Sequence, residues 1–373
     1  MKLTIERAAL LRSLSHVHSI VERRTTIPIL SNVKLAAIDR ERLELTATDL
    51  DLTLIAHEQA RIDEPGITTV SASTLFDIVR KLPEDATLSL EQPPERTELT
   101  LGAGRSSFAL PTLAADEFPA MALEQLDVHF VMPSKDLAKL IDRSRFAIST
   151  EETRYYLNGI HLHATKEGAA SVLRAAATDG HRLARVEVAL PTGAESFPPI
   201  ILPRKTVNEI RKLLEQGPDE VAVSVARGRI QFALGDAVLA SRLIDGTFPD
   251  YERVIPRDNE RIAILPAKPF AVAVDRVATI TSDKTRTVKL SLTNGTVTVS
   301  AISPELGRGS DEIDADYEGE PMEIGFNARY VLDMMGSIGG PEVRLEMGGA
   351  ASPTVARDPS DSSLLFVLMP MRV

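Results

Sequence analysis

The chain has 373 residues, 43% of them hydrophobic and 25% charged, which is the composition of a soluble globular protein too long for one typical core and suited to two or three. It has no cysteine, which excludes a disulfide framework, a zinc–thiolate site and a thiol nucleophile, and the cytoplasm is the expected compartment. A net charge of −11 argues against coating nucleic acid by bulk attraction. The charge is unevenly spread: residues 126–256 carry 17 basic against 17 acidic side chains, while residues 1–125 carry 13 against 19 and residues 257–373 carry 12 against 17.

In chain order, Leu10, Leu14, Val17 and Val21 form an apolar stripe at helical spacing, and a later strand ends in the small-residue turn Leu45-Thr46-Ala47-Thr48-Asp49. Leu75, Ile78, Val79 and Leu82 behind the polar cap Ser73 predict a second, shorter helix, followed by an alternating strand from Thr87 to Glu91 and by Phe118-Pro119. The plan then recurs at a spacing of 124 to 132 residues. Its second copy has the stripe Leu137, Leu140, Ile141, Ser144 and Ile148, the turn Ala175 to Asp179, the helix Val207, Ile210 and Leu214 behind Lys205, the strand Glu220 to Val225, and Phe248-Pro249. The third has Phe270, Ala273, Val274 and Val277, the turn Val299 to Pro304, the helix Val331, Met334, Met335 and Ile338 behind Asn327, the strand Glu342 to Met347, and Met369-Pro370. Linkers near Glu124 and Pro256 divide the copies as 1–125, 126–256 and 257–373. Two helices and several alternating strands per copy indicate an α+β fold with helices on one face of an antiparallel sheet.

The residues offer little enzymatic chemistry. His161 and His163 share a strand face as metal ligands would, but no third ligand is placed, and His16 and His18 on a helix point different ways. Gly102-Ala103-Gly104-Arg105 opens like a phosphate loop, yet Ser106 to Leu110 alternates like a strand, so it reads as a hairpin turn. Asp179 and His181, flanking Gly180 in the stretch Thr178 to Leu183, are the basis for a hydrolase or metalloenzyme alternative. The Thr-Asp half recurs as Thr48-Asp49, so its first role is architectural. No segment spans a membrane: Glu6 and Arg7 interrupt the N-terminus, and Leu364 to Met369 is far too short.

The basic side chains are more ordered. Lys135, Lys139 and Arg143 run i, i+4, i+8 opposite an apolar stripe, Arg7, Arg23 and Arg24 bracket the first helix, and Arg80-Lys81, Arg204-Lys205 and Arg211-Lys212 fall on or beside second helices. Recurrence at matched positions points to a shared basic surface, for which phosphates are the natural partner, although a repeat-built scaffold unrelated to DNA fits the repeats too. Phe366 to Val373 is apolar to its end, part buried strand and part core edge or docking surface with adaptable methionines.

The triplicated plan, Met1-Lys2-Leu3-Thr4-Ile5-Glu6-Arg7, Pro28-Ile29-Leu30-Ser31-Asn32, Arg154-Tyr155-Tyr156-Leu157-Asn158-Gly159, Thr178 to Leu183, Phe248-Pro249-Asp250-Tyr251 and the Met-Pro-Met-Arg ending resemble the bacterial beta sliding clamp family. The resemblance covers essentially the whole chain. It implies three tandem clamp domains, a head-to-tail homodimer closed into a ring around double-stranded DNA, no cofactor, metal or catalytic residue, and docking of the replicative polymerase, clamp loader and repair polymerases through short peptides. Carried over by position, the DNA-facing residues are Arg24, Arg80, Lys135, Lys139, Arg143, Tyr155, Arg204 and Lys205. The dimer interface maps to Arg105, Phe108, Leu110, Ile280, Glu305, Asp311 and Glu312, with Ser107 where the family often has a second arginine and Arg308 inside the acidic run. The peptide pocket maps to Tyr156, Leu157, Thr178, Gly180, His181, Arg182, Leu183, Pro249, Arg253, Val254, Val367, Met369, Pro370, Met371 and Arg372, and Val373 stands where the family usually ends in leucine.

Overall fold

Residues 1–22, 25–119, 126–281 and 286–372 are described by the computed structural model, with every side chain among them except that of Gln216. The expected linker at Glu124 and the positions Arg24 and Val373 lie outside these residues.

Among the described residues six helices, α1 (Arg7–Ile20), α2 (Ala72–Lys81), α3 (Ser134–Asp142), α4 (Arg204–Gln216), α5 (Ala267–Ala278) and α6 (Ala328–Met335), are each entered from a strand and followed by three more, with a short extra strand, Arg61–Glu64 or Asp316–Tyr317, after those of α1 and α5. The three copies read from the sequence are therefore each made of two strand–helix–three-strand halves. The helices form for the reason their stripes suggest: Leu10, Leu14 and Val17 of α1, Leu75 and Val79 of α2, and Phe270, Ala273, Val274 and Val277 of α5 are buried. Strands alternate in the same way, as in Glu220–Ala226, where Val221, Val223 and Val225 face inward.

Local chemistry shifts several expected boundaries. Ser71, not Ser73, caps α2, its side chain accepting from the Thr74 N–H at 3.3 Å, while Asn327 caps α6 as expected by accepting from Arg329 N–H at 3.0 Å. Arg7 donates to the carbonyls of Val79 and Arg80 at 3.0 and 2.8 Å, so it closes the C-terminus of α2 instead of facing solvent. α3 stops at Asp142, and Ser144 and Ile148 flank a separate 3-10 turn, Arg145–Ala147. In α4 Val207 and Ile210 are buried as expected but the third buried apolar position is Leu213, with Leu214 half-buried, and Ile338 lies beyond the end of α6.

The described residues form two compact units. The first holds Met1–Lys135, Pro191–Ser196 and Lys205–Leu243. Its 13 strands make one sheet, in which Leu52–Gln59 of the first copy pairs with Ala237–Arg242 of the second, Leu54 opposite Leu239. The second unit holds Asp136–Leu190, Phe197–Arg204 and the chain from Ile244 onward. In its nine-stranded sheet Arg182–Ala189 of the second copy pairs with Asp361–Leu368 of the third, Ala184 opposite Phe366, and a four-stranded sheet beside it ends on Gly307–Asp314. All of these pairings are antiparallel. The middle copy is thus divided between the two units, because its third strands, Arg182–Ala189 and Ala237–Arg242, complete sheets begun in its neighbours.

Candidate functional site

The turn from Thr178 to Leu183 is held by its own side chains. Thr178 Oγ1 accepts from Gly180 N–H at 3.1 Å and donates to Arg182 O at 2.7 Å, while Asp179 Oδ1 accepts from the N–H groups of His181 and Arg182 at 2.9 and 3.0 Å. Asp179 Oδ2 accepts from Arg182 Nε at 3.0 Å. The carboxylate is therefore occupied by its own turn and does not bond the His181 ring. The first copy repeats this arrangement, with Thr48 Oγ1 accepting from Leu50 N–H at 3.1 Å and Asp49 Oδ1 accepting from Asp51 and Leu52. Gly180 has φ +88°, the left-handed conformation that suits glycine, and Leu50 takes φ +80° at the matching position.

What surrounds this turn is special to the second unit. Leu157, Leu183 and Val367 are buried in a cluster with Ala176, Ile201, Phe248, Tyr251, Val355 and Leu365, against which Tyr156 packs. The chain end runs alongside: Met369 N–H donates to His181 O at 2.9 Å and Met371 N–H to Gly325 O at 2.8 Å. Pro249, Arg253 and Val254 come from the 3-10 turn Tyr251–Val254 and its lead-in. Val254, Met369 and Met371 are 54%, 42% and 36% exposed, so an apolar floor is bordered by solvent-facing apolar side chains and the backbone of Gly180 and Pro370. Such a surface suits an extended apolar ligand with a few polar anchors.

Three residues of this site escaped the sequence reading. Tyr330 of α6 lies under the Arg182 guanidinium at 4.3 Å and 6.4 Å from the His181 ring, and Asp333 accepts from Arg182 Nη1 at 2.6 Å. Arg154 donates to Asp179 O at 3.1 Å and pairs with Glu151 at 2.7 Å. It sits inside the Arg-Tyr-Tyr-Leu-Asn-Gly stretch, which was a usable signal; the α6 stripe carried none for Tyr330.

Behind the 3-10 turn lies a buried charge network. Arg174 donates to Glu187 at 2.7 Å, Glu252 at 2.6 Å and Glu167 at 2.5 Å, and Arg185 stands 3.6 Å from Glu252. Tyr251 Oη meets His163 Nε2 at 3.1 Å, and the rings of His161 and His163 stack at 4.5 Å. Burial, with the His161 and Arg174 charges, holds the His163 pKa down to about 3, and burial pushes Tyr251 up to about 12. The histidine pair is thus packed, and burial lowers the pKa of both rings. No three potential ligands among the described His, Asp and Glu residues stand together for a metal ion.

The chain matches three family models in order: DNA polymerase III beta subunit, N-terminal domain over residues 1–122, central domain over 131–250 and C-terminal domain over 252–372. It is 51% identical over 373 residues to the beta sliding clamp of Caulobacter vibrioides and 36% identical over 376 residues to that of Escherichia coli, with 100% of each chain covered. The chain belongs to the beta sliding clamp family. A crystal structure of the Caulobacter crescentus clamp with polyethylene glycol bound superposes with a TM-score of 0.97 at 51% identity, covering 100% of this chain and 99% of that one. A Bartonella birtlesii clamp bound to griselimycin gives 0.96 at 42% identity, covering 100% of both. The fold is accordingly three tandem clamp domains, helices on antiparallel sheets.

The remaining positions expected of a clamp fall as follows. Lys135 and Arg204 are exposed, and Tyr155 is 53% exposed. Arg80 pairs with Asp77 at 3.0 Å, Lys139 with Asp361 at 2.8 Å, and Arg143 donates to Gly336 O at 3.5 Å. Lys205 is tied to Asp49 and to Ile20 O, which restrains it more than any of these. Of the expected interface, Arg105, Glu305 and Glu312 are exposed, Phe108 and Ile280 half-buried, Leu110 buried, and Asp311 is paired with Arg276 at 2.6 Å. Phe108, Ile78 and Leu82 line an open cavity of about 520 Å³. Among the described residues no helix is long and apolar enough to cross a membrane.

Proposed function

We propose that this chain is a DNA sliding clamp that closes head to tail with a second copy into a ring around duplex DNA. It tethers the replicative polymerase, clamp loader and repair polymerases through short peptides and catalyses no reaction itself, in the cytoplasm. The observation that carries the reading is a pair of leftover strand edges. In both sheets, the third strand of one copy's first half pairs with the third strand of the next copy's second half: Leu52–Gln59 with Ala237–Arg242, and Arg182–Ala189 with Asp361–Leu368. Two equivalents have no such partner among the described residues, Gly307–Asp314 at its sheet edge and the outer side of residues 106–111. Two different surfaces that complement each other make a heterologous contact, which closes when the rotation does.

Arg80, Lys135, Lys139, Arg143, Tyr155, Arg204 and Lys205, with Arg24, are the DNA-facing set on this reading. Phosphate attraction by a few cations orients the ring without reading bases, and topology retains it. The pocket around Thr178–Leu183, Pro249, Arg253, Val254 and Val367 to Arg372 takes the partner peptides, and the domains divide at 1–125, 126–256 and 257–373. The reading is tested by loading the protein on closed circular DNA: retention lost when the circle is cut supports encirclement, and retention unaffected by cutting defeats it. Removing residues 369–373 is expected to abolish polymerase-peptide binding with the dimer intact; unchanged binding would remove the pocket assignment.

A further inference from the structure

We propose that Pro111 leaves the junction between two copies of this chain one main-chain hydrogen bond short of the two junctions within it. The inference rests on the homodimer reading and deepens it. Each internal junction ends on the same rung: Arg242 N–H donates to Asp51 O at 2.8 Å, and Met369 N–H donates to His181 O at 2.9 Å.

Equivalent positions follow from the strands that precede α2, α4 and α6. Leu113 stands opposite Thr69, Ile244 N–H donates to Ile201 O, and Met371 stands opposite Gly325. Thr69, Ile201 and Gly325 each lie three residues before their helix begins. Two residues back from Leu113, Ile244 and Met371 come Pro111, Arg242 and Met369. The next residue confirms the match, since Thr112 N–H donates inward to Thr97 O and Leu243 N–H inward to Gly228 O, both at 2.9 Å. Neighbouring N–H groups in a strand point to opposite sides, so the group at position 111 would point outward. Proline has none.

The accepting side is set by the turn. Leu52, Arg182 and Gly307 open the receiving strands, and the buried Ala47, Ala177 and Ala301 stand opposite Leu54, Ala184 and Gly309, so Asp51, His181 and Leu306, three residues before these, carry the matching carbonyls. Extending the internal registers, Leu54 opposite Leu239 and Ala184 opposite Phe366, places Gly309 opposite the partner's Phe108 and Glu312 opposite the partner's Arg105, so that inward-facing residues meet inward-facing ones. Ser107 and Ala109 then donate across the junction, and the carbonyl of Leu306 receives nothing from Pro111. A proline at this place also blunts an open edge against wrong pairing.

The test is the dimer dissociation constant of the full-length protein by sedimentation, with subunit exchange followed by fluorescence transfer. Pro111→Ala restores the N–H and is expected to tighten association by roughly 5-fold for each junction and to slow exchange. Ala109→Pro removes the neighbouring outward donor and is expected to weaken it. A Pro111→Ala dimer no tighter than the parent overturns the proposal while leaving the homodimer reading in place. A parent protein that is monomeric at every concentration overturns both.

Discussion

Arg174 Nη1 lies 2.6 Å from Glu252 Oε1, which ties the centre of a strand to the turn that carries Arg253 and Val254. Arg174 is nearly buried and Glu252 half-buried, so this charge-assisted bond is worth more than an exposed pair. Glu252→Ala is expected to loosen the turn and weaken partner-peptide binding by about tenfold, or roughly 1.4 kcal/mol. Glu252→Gln, which still accepts from Arg174, should retain most of the affinity. Fluorescence anisotropy with a labelled peptide checks both, and equal losses would show that charge rather than the hydrogen bond holds the turn.

Leu50 occupies the conformation that Gly180 occupies in the next copy, φ +80° against +88°. A non-glycine residue pays about 1–2 kcal/mol there, only partly offset by the backbone freedom glycine regains on unfolding. Leu50→Gly is therefore expected to stabilise the protein by up to about 1 kcal/mol, seen as a higher urea midpoint. Gly180→Ala should do the reverse, and its Cβ would also stand 2.7 Å from Arg154 Nη1, so peptide binding should fall with stability.

His163 titrates in the unfolded chain near its ordinary value but in the fold only at about 3. Between those values the unfolded state binds the extra proton, so stability falls as pH drops from about 6.5 towards 3. His163→Gln should flatten that slope. Urea titrations at pH 7 and pH 5 measure it; an unchanged slope would place the loss on other groups.

Arg204 and Lys205 are adjacent, yet only Lys205 is held by Asp49 and Ile20 O. Arg204→Ala is expected to lower the salt dependence of DNA binding by about one phosphate contact with stability unchanged. Lys205→Ala should instead cost stability, because it strands a nearly buried Asp49 carboxylate. Salt-titrated binding and thermal melts on the two variants separate the roles.

Periodicity and turn chemistry are local, so the sequence alone determined the helices with the stripes Leu10-Leu14-Val17 and Phe270-Ala273-Val274-Val277, the recurring Thr-Asp turn and the three-copy plan. The motifs from Arg154 to Gly159, Thr178 to Leu183 and Met369 to Arg372 are likewise legible in the sequence, and the fold brings them together. Only the tertiary structure decided that each copy is two half-units, that the middle copy is shared between two sheets, and that Arg174 meets Glu252 and Arg182 meets Tyr330. Those contacts join residues far apart in the chain, and strand order across copies is set by which edge is left open, a property no single stretch of sequence contains. The same holds for Pro111: its lack of an N–H is written in the sequence, but only the registers of the two internal junctions say which way that N–H would have pointed.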